Sequence, residues 1–117
     1  MTPQLATPGN DEAARIRVLN DNFRSTGAGG KVFMTRGIAA LPYEDQFEIL
    51  RQVRAFDVFT EANDPHHEHD FGAFMHSGHK VFWKIDYYDP SMTFGSEDPA
   101  DTQKTSRVLT IMLAEEY

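Results

Sequence analysis

An alternation of side chains on both sides of Ser77-Gly78 constrains the fold of this chain more than any other feature. Ser77-Gly78 is a tight-turn signal, and symmetric pairing about it places residue 76 opposite 79, 74 opposite 81 and 72 opposite 83. Gly72 then lies under Trp83. One face carries Phe74, Val81, Trp83, Ile85 and Tyr87. The pattern predicts strands over about residues 70–76 and 79–88, with Trp83 buried.

Two amphipathic patterns predict helices before this hairpin. In the first, Asn10 caps a helix over about residues 11–24, with a buried stripe of Ile16, Leu19 and Phe23. In the second, Pro42 begins a helix that extends to about Phe56. Its expected inward face consists of Tyr43, Phe47, Leu50 and Val53, widened by Ile49 and Phe56.

Two further segments outside these helices and the hairpin have recognisable patterns. Lys31 to Thr35 predicts a short strand between the first two helices. After the hairpin, Asp98 and Pro99 have the character of a helix cap and a first helical position, and Asp101 reaches back to them. The following run is apolar on most sides, so we expect a last, largely buried helix that includes Val108, Leu109, Ile111, Met112 and Leu113.

This order of elements predicts a single α+β domain over residues 10–117, preceded by a flexible tail at residues 1–9. The order is helix, strand, helix, strand, strand, helix. We expect a small antiparallel sheet of about three strands with the helices packed mainly on one face. The chain has no cysteine, which excludes disulfides and thiolate metal sites. No basic, apolar leader and no run of roughly 20 apolar residues is present, so we expect a cytoplasmic protein that is not in a membrane.

The net charge of −7 lies entirely in the second half of the chain, because residues 1–60 hold equal numbers of basic and acidic side chains. Such an acidic half disfavours binding to phosphate backbones. It suits a protein partner with a basic surface. We therefore expect a protein partner and no direct binding of nucleic acid. The acidic side chains expected to contact that partner are Glu61, Asp64, Glu68, Glu97, Asp98 and Asp101.

The stretch NDPHHEHD, residues 63–70, has the greatest density of side chains capable of chemistry. Asn63-Asp64-Pro65 is typical of a turn, and a polar loop that leads into a strand is the simplest interpretation. A zinc site would need three or four converging ligands, and the helical H-E-x-x-H spacing is absent. We expect no cofactor and no specific metal site. The alternative is a metal-binding module that uses His66, His67 and His69.

A second alternative is a small hydrolase or ribonuclease. His69 would supply acid–base catalysis, and Lys84 would stabilise developing charge. If residues 70–76 form a strand, His69 and Lys84 project to the same face and can meet. Asp70 and Tyr87 project to the other face, so Tyr87 cannot join them. This alternative therefore depends on the register of the hairpin.

Several motifs resemble an uncharacterised family of small bacterial proteins that is common in proteobacteria and on plasmids and other mobile elements. They are FWKIDYYD (residues 82–89), RVLTIMLAEEY (107–117), Thr35-Arg36-Gly37, Asn63-Asp64-Pro65 and His69-Asp70-Phe71-Gly72. The resemblance extends from Arg15 onward. In that family pattern one histidine follows Asp-Pro and a small residue usually comes next, the place that His67 holds here. The resemblance implies a context of mobile elements and no established activity.

These observations together predict a non-enzymatic, acidic, cytoplasmic binding protein. Small acidic proteins on mobile elements often inhibit host defence machinery. The expected role is accordingly that of an inhibitor of a bacterial defence complex, of the anti-restriction or anti-CRISPR type. This expectation comes from charge and context, because the fold by itself does not determine function.

Overall fold

A computed structural model describes residues 8–117 of the chain. Its helices are α1 (Pro8–Thr26), α2 (Arg36–Ala39), α3 (Tyr43–Arg54) and a C-terminal 3₁₀ helix (Ala114–Glu116). Its strands are β1 (Gly30–Met34), β2 (Phe71–His76), β3 (His79–Tyr88) and β4 (Ser106–Leu113). The predicted tail falls mostly outside the described residues, and α1 begins two residues before Asn10, the expected cap.

The strands form one mixed sheet in the order β1-β4-β3-β2. Strand β3 is antiparallel to both β2 and β4, whereas β1 is parallel to β4. The α+β class is confirmed. The expected sheet of about three antiparallel strands is only roughly right, because the sheet has a fourth strand and one parallel pair.

The hairpin has the predicted register. His76 is paired with His79, Phe74 with Val81 and Gly72 with Trp83. Ser77 and Gly78 both have positive φ, at 48° and 82°, as expected for the two central residues of a type I′ turn. Trp83 is fully buried, as the alternation predicts.

The predicted last helix is wrong, because residues 106–113 form the strand β4 between β1 and β3. The expectation that this run is buried is confirmed, since Val108 and Met112 are buried on one side and Leu109 and Ile111 on the other. A central strand with two covered faces and a buried helix have the same apolar pattern, so periodicity cannot distinguish them. Asp98 accepts a hydrogen bond from the amide of Ala100 at 3.2 Å, but in a turn rather than a helix.

One hydrophobic core joins the helices to one face of the sheet. Phe23 of α1, Ile38 of α2 and Val53 of α3 are buried. They belong to the same cluster as Trp83, so the three α-helices share one face, as predicted. The inward face of α3 was predicted partly wrongly, because Tyr43 and Phe47 are exposed. Ile49 and Val53 are fully buried, as predicted.

The opposite face of the sheet carries a small aromatic group near the C-terminus. The ring of Tyr117 lies 5.6 Å from Phe82 and 6.4 Å from Phe71, both at steep angles. Glu116 fixes this C-terminal segment, because it accepts hydrogen bonds from Thr35 Oγ1 at 2.6 Å and from the Gly37 amide at 2.9 Å. Within the described residues, no helix is long and apolar enough to cross a lipid bilayer.

Candidate functional site

The histidine-rich stretch is a loop between α3 and β2 that is held by its own side chains. Asn63 Oδ1 accepts a hydrogen bond from the Thr60 amide at 2.8 Å, and Asn63 Nδ2 donates to the Val58 carbonyl at 3.0 Å. The Asp64 amide donates to the Thr60 carbonyl at 2.8 Å. The prediction of a polar turn that leads into a strand is therefore confirmed.

Two histidines of this loop have left-handed backbone conformations. The φ angles are 59° at His67 and 54° at His69, a region that residues with a Cβ enter at a cost. Strand β2 begins only at Phe71. The side chain of His69 therefore does not follow the alternation of the strand. The conformation of the loop directs it toward the helices.

His69 is held by a carboxylate on one side and an aromatic ring on the other. Its Nδ1 lies 2.8 Å from Asp21 Oδ1, and its ring stacks on Phe59 with centroids 3.7 Å apart and planes 5° apart. A carboxylate only accepts hydrogen bonds, so Nδ1 carries the proton and donates to Asp21. In a neutral imidazole Nε2 is then an acceptor. It lies 3.6 Å from Asp64 Oδ2.

The structure separates the two residues of the hydrolase alternative. Phe59, which stacks on His69, also packs edge-on against Trp83 at 6.2 Å, so His69 lies on the core side of the sheet. Lys84 alternates with Trp83 and points to the opposite side, where its Nζ lies 2.8 Å from Asp86 Oδ2. The expected shared face for His69 and Lys84 is wrong, because position 69 precedes the strand and has a positive φ.

A buried polar network joins α1 to the loop and the sheet. Asn20 is fully buried. Its Nδ2 donates to the Glu68 carbonyl at 3.0 Å and to Tyr87 Oη at 2.7 Å, and its Oδ1 accepts from Arg107 Nε at 2.8 Å. Arg107 is also buried, and its Nη2 donates to the Pro99 carbonyl. Every polar atom of the Asn20 side chain is thus used, as buried polar groups require.

Tyr87 connects this network to the carboxylate of Glu68 by a hydrogen bond. Tyr87 Oη donates to Glu68 Oε1 at 2.7 Å. Burial and this bond to a carboxylate raise the pKa of Tyr87 far above its ordinary value, so the phenol stays protonated and remains a donor. Burial, and then the charges of Glu68 and Asp64, raise the pKa of Asp70. Asp70 thus lies near two other carboxylates, whereas the buried Arg107 supplies a positive charge to the same network.

The six acidic residues predicted to bind a partner lie in different environments. Glu61 and Glu97 have highly exposed side chains, at 85% and 79%. Asp64 is buried, and Glu68 is bonded to Tyr87. The remaining two act within their loop, because Asp98 Oδ1 accepts from the Ala100 amide and Asp101 Oδ1 from the Gln103 amide. The first two carboxylates are the most exposed of the six, and each lies near a basic side chain: Glu61 is 3.7 Å from His67, and Glu97 is 3.5 Å from Lys104.

The structure separates the three histidines of the metal-binding alternative. His66 is exposed, whereas the Nε2 of His67 lies 3.7 Å from Glu61 Oε1 and His69 faces Asp21 and Asp64. Among the side chains described, those of residues 12–117, no three His, Asp or Glu groups converge as the ligands of a metal ion would. The loop instead contains two imidazole–carboxylate pairs, His67 with Glu61 and His69 with Asp64, and His69 also bonds to Asp21 of α1.

Both pairs line one open pocket of about 360 Å³ beside the loop. Its walls are formed by Phe59, Thr60, Glu61, Asp64, His67 and His69. Asp64 Oδ1 accepts a hydrogen bond from the His69 amide at 3.1 Å, and in the described part of the chain no hydrogen bond reaches Oδ2. The pocket thus has an under-bonded buried carboxylate in its wall and the exposed Glu61 at its rim.

Four polar residues of this site were missed by sequence reasoning. They are Asn20, Asp21, Arg24 and Arg107. Arg24 donates to the carbonyls of Val53 and Phe56 at 3.1 and 3.0 Å, and its guanidinium lies 5.0 Å from the Trp83 ring. Helical spacing offers one signal, because residue 20 lies one turn after the buried Ile16 and therefore on the same helix face. A polar residue on an apolar stripe needs a partner inside the protein.

Comparison with known proteins identifies a family but no function. Residues 34–116 match the family model described as Protein of unknown function (DUF3768), which covers more than half of the chain. The matched segment begins at residue 34, later than the resemblance from Arg15 that the sequence motifs indicate. No curated protein and no solved structure gives a match. The resemblance to an uncharacterised family is confirmed, and its bacterial and mobile-element context stays a prediction.

Proposed function

The chain belongs to the DUF3768 family of proteins of unknown function, and from that premise we propose that it is a non-enzymatic protein that binds a basic surface of another protein. The observation that supports the proposal is the position of its two acidic loops. One loop ends where β2 starts, and the other connects the end of β3 to the start of β4. Since β3 is antiparallel to both neighbours, these three points lie at the same end of the sheet.

Side-chain bonds tie the two acidic loops to one support. Asn20 contacts the Glu68 carbonyl in the first loop and Arg107 on β4, and Arg107 contacts the Pro99 carbonyl in the second loop. Residues 57–70 contain five acidic side chains and no Lys or Arg, and residues 89–105 contain four acidic side chains and one Lys. A fixed surface with this charge would speed the approach of a basic partner and would repel phosphate backbones.

The context of the family extends this proposal. We propose that the protein works in the cytoplasm of bacteria that carry mobile elements, where it inhibits a restriction or CRISPR complex. Such complexes hold nucleic acid on basic surfaces, so an acidic protein could occupy the same surface in competition with the substrate. The charge distribution and the resemblance support this extension.

Charge reversal at the exposed loop positions tests the proposal. After the partner has been captured from the native host, its association rate is measured with the wild type, Glu61→Lys and Glu97→Lys at two salt concentrations. We expect both variants to associate more slowly at low salt and the difference to shrink at high salt, because exposed charges act at long range and are screened. Neither residue is buried, so the variants should fold normally.

The matched control is Glu115→Lys, which makes the same charge change on the C-terminal 3₁₀ helix, beyond the opposite end of β4. We expect it to leave association nearly unchanged. Equal slowing by all three variants would mean that only net charge matters, and would contradict an interface at the acidic loops. Salt-dependent binding of the wild type to duplex DNA would contradict the wider proposal.

A further inference from the structure

The pocket beside the histidine loop has a feature that neither a flat charged surface nor a simple turn explains. Asp64 is 3% exposed, yet its carboxylate accepts only one hydrogen bond from the described residues, at Oδ1 from the His69 amide. An ionised carboxylate can accept about four hydrogen bonds, and Oδ2 is not among the fully buried atoms of the described residues that lack a partner, so it is open to the pocket. Because Asp64 lines the pocket, the missing donor can come from outside the protein.

The imidazole of His69, beside Asp64, can also accept a hydrogen bond from an external donor. With the His69 ring neutral and Nδ1 donating to Asp21 at 2.8 Å, Nε2 is an acceptor 3.6 Å from Asp64 Oδ2. Two acceptors at this distance repel each other unless a donor lies between them. A group with several N–H donors could bond to both, and a positive charge on that group would be favoured by Asp64 and by Glu61 at the rim.

The nearest described arginines do not fill this role. Arg17 donates to the His67 carbonyl at 2.9 Å, on the backbone of the loop. Arg24 is buried and donates to Asp21 at 3.1 Å and to two carbonyls at the end of α3. Burial raises the pKa of Asp70, and the charges of Glu68 and Asp64 raise it further.

We propose that this pocket receives a single arginine side chain of the partner protein, whose guanidinium donates to Asp64 Oδ2 and His69 Nε2 and pairs with Glu61. This inference rests on the proposed function and names the group that the partner presents. Arginine fits better than lysine, because a guanidinium has five donors in a rigid plane whereas an ammonium is a compact and strongly hydrated charge. A pocket of about 360 Å³ suits one long side chain rather than a folded element.

The experiment uses the full-length protein and acetyl-arginine-amide as the probe, with acetyl-citrulline-amide as its neutral isostere. Titrations are followed through the backbone amide resonances of Glu61, Asp64, His67 and His69. We expect saturable shifts with the arginine compound and none with the citrulline compound. Glu61→Gln should weaken binding by roughly two- to fivefold, as for an exposed ion pair. Asp64→Asn should weaken it by more than about tenfold.

Glu115→Gln is the matched control, because it removes an exposed carboxylate from the C-terminal 3₁₀ helix, outside both acidic loops, and should leave the affinity unchanged. If Asp64→Asn does not fold, the comparison of Glu61→Gln with Glu115→Gln still tests the proposal. Equal shifts with citrulline, or equal binding of acetyl-lysine-amide, would overturn the assignment to arginine. A doubly protonated His69 ring in the free protein at pH 7.5 would overturn it too, since Asp64 would already have a donor.

A further outcome separates this pocket from the proposed function. If Zn²⁺ saturates the same resonances and the arginine compound does not, the pocket is a metal site and the inference is wrong. If the partner binds the wild type and Glu61→Gln equally well while Glu97→Lys slows association, the binding function stands and the arginine pocket does not.

Discussion

Gly72 lies directly opposite Trp83 on the neighbouring strand, and a Cβ atom at position 72 would overlap the indole ring at Nε1. Position 72 therefore has no room for a side chain, because the indole ring occupies the space where a Cβ atom would lie. Gly72→Ala should destabilise the protein by about 1–3 kcal/mol, as overpacking of a core does. Gly95→Ala is the control, since its nearest neighbour would be 3.9 Å from the new Cβ. Urea unfolding of both variants measures the difference, and equal losses would contradict the packing argument.

Trp83→Ala should lower the free energy of unfolding by about 3–5 kcal/mol. Trp83 is fully buried and packs edge-on against Phe56 at 5.5 Å, with the Arg24 guanidinium 5.0 Å from its ring. Its indole N–H reaches no acceptor among the described residues, so the substitution removes packing and the contact with Arg24 but no hydrogen bond. Phe94 is 71% exposed, and Phe94→Ala should change stability by less than about 0.5 kcal/mol. A near-normal melting temperature for Trp83→Ala would contradict the placement of Trp83 in the hydrophobic core.

The buried side of α3 can be tested with two single substitutions on the same helix. Ile49 is fully buried whereas Phe47 is 71% exposed. Ile49→Ala should cost about 2–5 kcal/mol, and Phe47→Ala should stay within about 0.5 kcal/mol of the wild type. Thermal unfolding followed by circular dichroism distinguishes the two. If Phe47→Ala lowers the stability more than Ile49→Ala does, the face with Tyr43 and Phe47 is buried, as the periodicity predicts.

His67→Gly should stabilise the protein, because His67 has a φ of 59° and glycine adopts this conformation without a steric penalty. The gain should be about 0.5–1 kcal/mol, reduced by the greater freedom of glycine in the unfolded chain. His67→Ala is the control, since it removes the imidazole near Glu61 but keeps the Cβ. If alanine stabilises as much as glycine, the effect lies in the imidazole and not in the backbone.

Asp70→Asn should stabilise the protein at neutral pH. The folded-state pKa of Asp70 is raised above its ordinary value of 3.8 by burial and then by Glu68 and Asp64, so its ionised form is disfavoured in the folded protein. An acid with a raised folded pKa contributes stability at low pH and loses it as pH rises through that pKa. The advantage of Asn over Asp should therefore be present at pH 7 and vanish below about pH 3.8. Melting temperatures over pH 3–7 test this, and a constant difference would contradict it.

The hairpin was predictable from the sequence down to its register. A period of two combined with a turn signal leaves one arrangement that buries Val81, Trp83 and Ile85 together, and a slip of one residue would expose all three. The helices α1 and α3 were predictable in approximate position, because their helical spacing is local. Their starts were not, since α1 begins before Asn10 and Pro42 precedes the first residue of α3. The local sequence does not determine which side of α3 is buried, since Tyr43 and Phe47 form as good an apolar stripe as Ile49 and Val53.

The strand β4 and the polar site were decided by the tertiary structure. Residues 106–113 are apolar on both sides, and only a place between β1 and β3 makes them a strand rather than a buried helix. The pairing of Asp21 with His69 joins residues 48 positions apart, and no spacing rule connects them.

The sequence by itself determined the α+β class, the hairpin register, the turn at Asn63 and the acidic second half. These properties depend on short-range periodicity, turn chemistry and composition, which the chain carries locally. The tertiary structure alone decided that His69 faces Asp21 rather than Lys84. That choice depends on a left-handed backbone at residue 69 and on the α1 helix packed beside it, and neither is visible until the chain is folded.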